Sequence, residues 1–318
     1  MITSTYCKCC DWALSEYNTC ALLPCQHIIH SKCYNKLVDK KCPYCDKKIE
    51  KTITLGTCEI MKNKDKKYKN LYYNLIGVSN KFFTKKDSTL LSFLRLPEIL
   101  RNLYIYSQAN DIEEVFIAQE RLFNSFNLKL NYNKDKLNEI KQKNKKFIII
   151  ANHHSYLDAL VLSNLFRCGG IAASFIKDHT LFANTVEKLG SIYVDRSKKS
   201  NTVKKIKKYF KKNDRLIIFP EGTMVSRYSL AKFRSGAFNV GVPILPVVIK
   251  YDKYIYPSSN IMEGALSIVS HKEINVKVYF LDVEYPPFNK EKVNKIRINM
   301  CKKGNFLLTN LTSKGAKK

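Results

Sequence analysis

The sequence predicts an α/β fold: a mixed, largely parallel sheet flanked by helices, preceded by a small metal-stabilised module. Two observations carry this reading. From residue 146 onward, short apolar runs alternate with stretches of helical period, the pattern of strands joined by crossover helices. Ahead of that, eight cysteines and histidines of the first fifty residues fall into four close pairs. A third observation bounds the class. No run reaches the roughly 18 apolar residues that a spanning helix needs, and the apolar stretch Ser88 to Leu96 is interrupted by Arg95 and followed by Pro97. At 318 residues, the chain has room for one small module and one domain with a full core.

The module comes first, over residues 1–50. Its pairs are Cys7 with Cys10, Cys25 with His27, His30 with Cys33, and Cys42 with Cys45. Thiolate and imidazole at such spacings suit tetrahedral zinc. A segment of this length gains only about 3–5 kcal/mol from apolar burial. A structural zinc ion adds on the order of 10 kcal/mol or more. Disulfides are the alternative, but they need an oxidising compartment, and residues 1–20 hold no apolar signal-peptide core. Cys9 and Cys20 are left over.

The order of three Cys, two His and three Cys resembles a RING finger, as does the wording Leu23-Pro24-Cys25-x-His27-x-x-His30-x-x-Cys33. That resemblance implies interleaved ligand sets and two structural zinc ions. Cys7, Cys10, His30 and Cys33 would hold one ion; Cys25, His27, Cys42 and Cys45 would hold the other. It also implies a ubiquitin-conjugating enzyme as partner. The chain departs from the pattern at the partner surface, with Cys9 before the second ligand, Leu37 in place of a common Trp, and Asp46 after the last ligand. A purely structural or protein-docking zinc domain is the alternative.

Residues 51–87 read as a basic linker with one strand from Lys51 to Cys58. Residues 88–145 read as helical, with apolar positions at Ile112, Val115, Phe116, Ala118 and Leu122. Leu90, Leu91, Phe93 and Leu94 suit either a membrane surface or core packing. In the motif-bearing part, 146–252, strands are expected at 146–151, 171–176, 191–195, 215–219 and 244–250. Helices are expected at 157–167, 180–189, 200–212 and 229–240. In 253–318, strands at 263–269 and 275–281 precede a basic, fraying tail from Lys302 to Lys318.

The chemistry is concentrated in Asn152-His153-His154-Ser155-Tyr156-Leu157-Asp158, between a strand and a helix. A neutral His is a general base near physiological pH. An Asp nearby can fix its tautomer and stabilise its charged form, and such a pair can deprotonate a hydroxyl. The plain alternative is that Ser155 and Asp158 form a helix capping box. Three further blocks follow. Gly190-Ser-Ile-Tyr-Val-Asp-Arg196 ends a strand in a cation able to fork onto phosphate, or to pair with Asp195. Phe219-Pro-Glu221-Gly222-Thr223 turns sharply after a strand, with Glu221 placed for acceptor hydroxyls or simply solvated. Arg234 and Gly236 follow in Lys232-Phe-Arg-Ser-Gly236, Arg234 as a second phosphate ligand or a surface cation. The last block, Val242-Pro-Ile-Leu-Pro-Val247, reads as a buried strand.

These four ordered blocks resemble the 1-acylglycerol-3-phosphate acyltransferases and their glycerolipid relatives. The resemblance implies catalysis by His153 and Asp158, with Asn152, Ser155, Gly190, Arg196, Glu221, Gly222, Thr223, Arg234 and Gly236 at the substrates. It implies acyl-CoA, or an acyl carrier protein, as donor and a lysophospholipid as acceptor, 1-acyl-sn-glycerol-3-phosphate first. One position departs: Met224 stands where the family usually has Arg.

Lys and Arg number 55 against 27 acidic residues, a formal net charge of +28. Such a chain seeks anionic partners. The densest block, Lys198 to Lys212, carries Val203, Ile206 and Phe210 at helical spacing, suited to an anionic bilayer or to a core-packed helix with a solvated face. The expectation is a peripheral or monotopic protein on the cytosolic face of a membrane, not secreted. The rival class is a membrane-docked RING ubiquitin ligase whose acyltransferase-like domain binds lipid. Nucleic-acid binding has only the charge behind it and is not expected.

Overall fold

The computed structural model describes residues 7–10, 19–23, 25, 27–54, 94–178, 182–195, 201–253, 255 and 267–309. The chain divides into two compact units. One comprises Met1–Asn80, Glu221–Phe233 and Asn294–Lys318; the other comprises Lys81–Pro220 and Arg234–Val293. Three separate stretches of sequence therefore build the first unit.

In that first unit, β1 (Thr19–Leu23) pairs antiparallel with β2 (His27–His30), which runs directly into α1 (Ser31–Asn35). On its other edge β1 pairs antiparallel with β3 (Lys51–Thr54). The middle of β2 is apolar, so Ile28 and Ile29 are buried while His27 and His30 at its ends stay half-buried.

The second unit opens with two helices. Pro97 stands in the first turn of α2 (Leu96–Ser107), where its missing N–H is no loss. Asp111 caps α3 (Ile112–Ser125) by accepting from Glu114 N–H at 2.8 Å, and Glu113 and Glu114 complement the helix N-terminus. Next comes β4 (Leu128–Tyr132), then α4 (Lys134–Lys143), capped by Asn133. The motif region supplies β5 (Phe147–Ala151), α5 (Leu157–Phe166), β6 (Ile171–Ala173), α6 (Ala183–Lys188), β7 (Ile192–Val194), α7 (Thr202–Tyr209) and β8 (Arg215–Ile218). After β9 (Ser229–Leu230), which belongs to the first unit, come β10 (Ile244–Tyr251) and β11 (Ile274–Phe280). The chain closes with α8 (Lys290–Gly304) and β12 (Leu307–Leu308).

The main sheet has the order β4-β11-β10-β5-β8. Only the β10–β11 pair is antiparallel; the others are parallel. Every residue of β5 is buried, as a central parallel strand requires when helices cover the sheet. Phe147, Ile149, Val161, Leu162, Phe166, Val247 and Phe280 belong to one apolar cluster. Helix α5 is held to α3 by a buried bond from Gln119 Nε2 to Ser163 Oγ at 2.9 Å. The mixed, largely parallel sheet flanked by helices is thus the fold class read from the sequence.

Several elements differ from expectation. Residues 88–145 are not helical throughout: Leu128 to Tyr132 alternate in burial and form an edge strand parallel to β11. Residues 229–240 are not a helix. Ser229–Leu230 pair parallel with Leu307–Leu308, and turns follow; bonds from distant segments override the local helical period. Residues 267–269, expected in a strand, form a helical turn instead, with Ser270 Oγ donating to Ser267 C=O. The tail does not fray at its start, because Phe306 and Leu307 are buried. In α7, Ile206 and the following Phe210 are buried, so that face packs inside the protein and cannot insert into a bilayer. Lys204, Lys205, Lys207 and Lys208 remain exposed. Leu90, Leu91 and Phe93 lie outside the described residues, whereas Leu94 is exposed. Among the described residues, no helix is long and apolar enough to cross a membrane.

Candidate active site and metal centres

Strand β5 ends at Ala151, and α5 begins at Leu157. The turn between them lies at the carboxyl end of the parallel strands, where open α/β sheets bind ligands. Its geometry is fixed by buried polar bonds. Asn152 is fully buried; its Oδ1 accepts from Ile249 N–H at 2.8 Å, and its Nδ2 donates to Ile249 C=O at 3.0 Å. The side chain thereby continues the β5–β10 pairing beyond the strand. Ser155 is also buried, and its Oγ accepts from Leu157 N–H at 3.1 Å. Both residues were expected at the substrates; their side chains instead hold the turn.

Asp158 is fully buried and is the hub of the site. Its Oδ2 lies 3.0 Å from His153 Nδ1 and accepts from the backbone N–H groups of His154 at 2.7 Å and Ser155 at 2.8 Å. Its Oδ1 accepts from Tyr251 O–H at 2.6 Å. One carboxylate thus ties down the start of α5, as the capping reading expects, and bonds to His153. A neutral His153 that donates from Nδ1 to Asp158 carries its lone pair on Nε2. The ring of His153 is stacked on Phe219, with centroids 4.1 Å apart and planes 14° apart. Burial first, then the Asp158 charge, pushes the Tyr251 hydroxyl well above the usual tyrosine range, which keeps it a donor.

Sequence reasoning missed Tyr251 and Phe219 as members of this site. Tyr251 ends β10, the strand next to β5, two residues beyond Ile249. The adjacency of the two strands was the missing signal, and it is not written in either strand alone.

The other expected residues have local roles of their own. In the second unit, Gly190 has φ of +67° and terminates α6, with Gly190 N–H bonded to Glu187 C=O and Ser191 N–H to Val186 C=O. That is the ordinary task of a helix-ending glycine. Arg234 is exposed, and its backbone N–H is bonded to Pro220 C=O. A Cβ on Gly236 would meet nothing within 4 Å, so no close approach demands glycine there. Arg196 lies outside the described residues.

In the first unit, Glu221 is fully buried, not solvated, and its Oε2 accepts from Ala231 N–H at 2.6 Å. Gly222 follows with φ of +73°, a conformation that suits glycine, and Thr223 is half-buried.

The same unit gathers eight ligand-type side chains into two clusters. Cys7, Cys10, His30 and Cys33 form one, and Cys25, His27, Cys42 and Cys45 form the other; within each, the ligand atoms lie within 4.8 Å of one another. The interleaved grouping is the one that the RING resemblance implies. A tetrahedral zinc with bonds of about 2.3 Å sets its sulfurs roughly 3.8 Å apart, so the clusters fit the ion. Their chemistry fits too. Burial, and then hydrogen bonding with Cys10 and Cys7, pushes the Cys33 thiol up to about 12. Crowded thiols of this kind are relieved by a divalent cation. Cys20 belongs to neither cluster and is buried in the apolar core of the unit.

Residues 132–250 match the family model described as Acyltransferase. Among curated proteins, the chain is 29% identical over 182 residues to Lysophospholipid acyltransferase LPEAT1 of Arabidopsis thaliana, covering 51% of this chain and 46% of the relative. It is 32% identical over 119 residues to Lysophosphatidylcholine acyltransferase of Drosophila melanogaster, covering 35% and 22%. It is 33% identical over 117 residues to 1-acyl-sn-glycerol-3-phosphate acyltransferase of Saccharomyces cerevisiae, covering 33% and 39%. The chain spans less than half the length of these relatives. Among solved structures it resembles the 1-acyl-sn-glycerophosphate acyltransferase PlsC from Thermotoga maritima. The TM-score is 0.55 at 17% identity, over 68% of this chain and 95% of that one, which shows a shared fold. The stretch 132–250, which includes the β5–α5 turn, is therefore similar to acyltransferases.

Proposed function

We propose that this chain transfers an acyl group from acyl-CoA, or an acyl carrier protein, to the hydroxyl of a lysophospholipid, with 1-acyl-sn-glycerol-3-phosphate the first acceptor to test and phosphatidic acid its product. The observation that carries the reading is the 3.0 Å contact between His153 Nδ1 and the fully buried Asp158 carboxylate, at the carboxyl end of β5.

His153 Nε2 takes the proton from the acceptor hydroxyl as the oxygen attacks the thioester carbonyl. Asp158 stabilises the imidazolium so formed. The tetrahedral intermediate collapses, the C–S bond breaks, and the departing thiolate takes the proton back from His153. No covalent enzyme intermediate is needed. Arg196 and Arg234 are the candidate phosphate ligands, and Glu221 with Gly222 and Thr223 forms the candidate acceptor loop. The exposed lysines of α7 suit electrostatic contact with an anionic membrane surface, which supports a peripheral enzyme on the cytosolic face.

Cys7, Cys10, His30 and Cys33 hold one zinc ion, and Cys25, His27, Cys42 and Cys45 the other; the ions supply folding free energy, not catalysis. The interleaved ligand sets also favour the rival reading, a RING that recruits a ubiquitin-conjugating enzyme. Two assays separate them. Acyl transfer to a panel of lysophospholipids, followed by thiol release and by the lipid product, is expected to be positive and lost in His153→Ala. A folded, zinc-loaded protein that acylates none of them, yet accelerates ubiquitin discharge from a conjugating enzyme, would replace the proposal with its rival.

A further inference from the structure

The segment that follows the candidate acceptor loop shares one core with the metal module. Val225 and Ala231, at either side of the β9 approach, are fully buried in the same apolar cluster as Cys7, Cys20, Ala21, Leu22, Ile28, Ile29, Cys42 and Ile49. Two of those, Cys7 and Cys42, are ligand residues of the two metal clusters. Leu307 of β12 completes the cluster, and β12 pairs with β9.

The backbone of this segment is clamped from both sides. Glu221 accepts from Ala231 N–H at 2.6 Å. Arg297, from α8, is buried; its Nε donates to Ala231 C=O at 3.0 Å, and its guanidinium also donates to Leu230 C=O at 2.9 Å and to Thr309 C=O. Ala231 thus has its N–H held by Glu221, its C=O held by Arg297, and its side chain in the core of the metal module. A shift of that core moves Ala231, and Ala231 holds the carboxylate of Glu221.

We infer that the metal module is a positioning element of the enzyme: its loaded state fixes the Glu221–Thr223 loop through Val225, Ala231, Leu307 and Arg297. The inference rests on the proposed function for the meaning of the loop, but not for its mechanics. The cysteine clusters then serve acyl transfer through the core that they nucleate.

Linkage makes the coupling reciprocal, so it can be read without an activity assay. Zinc retention is measured on the full-length holoprotein by titration with a chromogenic chelator, for the parent, Val225→Ala, Leu307→Ala and Val161→Ala. Val161 is equally buried but lies in α5 of the other unit. The expected result is about tenfold easier zinc release from the first two variants and none from the third. Hydrogen exchange of the parent gives a second reading that needs no variant. Chelation should deprotect 221–233 and 307–309 while β5 stays protected. Unchanged retention in Val225→Ala and Leu307→Ala, or unchanged exchange at 221–233 after the metal is removed, overturns the inference, as does a parent that holds no zinc. If both coupling measurements hold but no acyl transfer is found, the enzymatic reading of the loop falls and the coupling stands. If transfer is found and survives chelation with 221–233 still protected, the coupling falls and the enzyme stands.

Discussion

Replacing Asp158 by Asn removes one charge from the site and little else. The amide oxygen is held where Oδ2 stood, because the N–H groups of His154 and Ser155, at 2.7 and 2.8 Å, both need an acceptor there. That oxygen still accepts from His153 Nδ1, and the new NH2 faces Tyr251, whose oxygen can accept. The tautomer and ring position of His153 are therefore kept. What is lost is the attraction between a carboxylate and the imidazolium that forms during the reaction. At 3.0 Å and an effective dielectric constant of about 20, that attraction is roughly 5–6 kcal/mol. A neutral hydrogen bond of about 1 kcal/mol survives in the amide. The difference of about 4 kcal/mol corresponds to about a thousandfold in rate. Because the imidazolium exists only along the reaction, the loss should fall on kcat and spare KM. Steady-state thiol release from acyl-CoA at saturating lysophospholipid measures it, with circular dichroism to verify the fold. A folded Asp158→Asn variant with kcat within tenfold of the parent would refute the role assigned to the pair.

His153→Ala should lower kcat by about 10²–10⁴-fold while circular dichroism still reports a folded chain, although losing the bond to Asp158 lowers the melting temperature. Tyr251→Phe deletes a 2.6 Å bond to Asp158 and leaves no cavity; thermal unfolding should register a loss of about 1.5–3 kcal/mol, as for bonds to charged groups, and an unchanged melting temperature would remove Tyr251 from the site. Metal analysis of the full chain should give two zinc ions, with fewer in Cys25→Ser and both retained in Cys20→Ser, because Cys20 lies in the apolar core and in neither ligand cluster. Arg234→Ala should raise KM for phosphate-bearing acceptors about ten- to a hundredfold with kcat spared, as loss of a charge-assisted bond of about 1.5–3 kcal/mol requires; equal effects on phosphate-free acceptors would exclude Arg234 as a phosphate ligand.

Sequence made the β5–α5 turn legible because its central pair is local. His153 and Asp158 are close in the chain, and the strand before them is continuous apolar sequence. The cysteine and histidine pairs were legible for the same reason, and their interleaving came from a known pattern. Tyr251 was not legible, since its partner Asp158 lies 93 positions away and only sheet order brings them together. Residues 229–240 show the opposite failure. Their periodicity suggested a helix, but β12, Glu221 and Arg297 supply the backbone of Leu230 and Ala231 with partners that a helix would have to displace. Membership of 221–233 in the unit of the metal module was invisible for a related reason: packing, not chain order, decides it.

The stacking of His153 on Phe219 has a consequence for when order is acquired. Asp158 fixes one edge of the imidazole and Phe219 one face, so both tilt and flip are restrained in the protein alone. Under the proposed mechanism, the side-chain entropy of the base is then lost as the chain folds, not as the lipid arrives. Each encounter with an acceptor meets a ring already aimed, and the entropic barrier left to the reaction belongs mainly to the substrates.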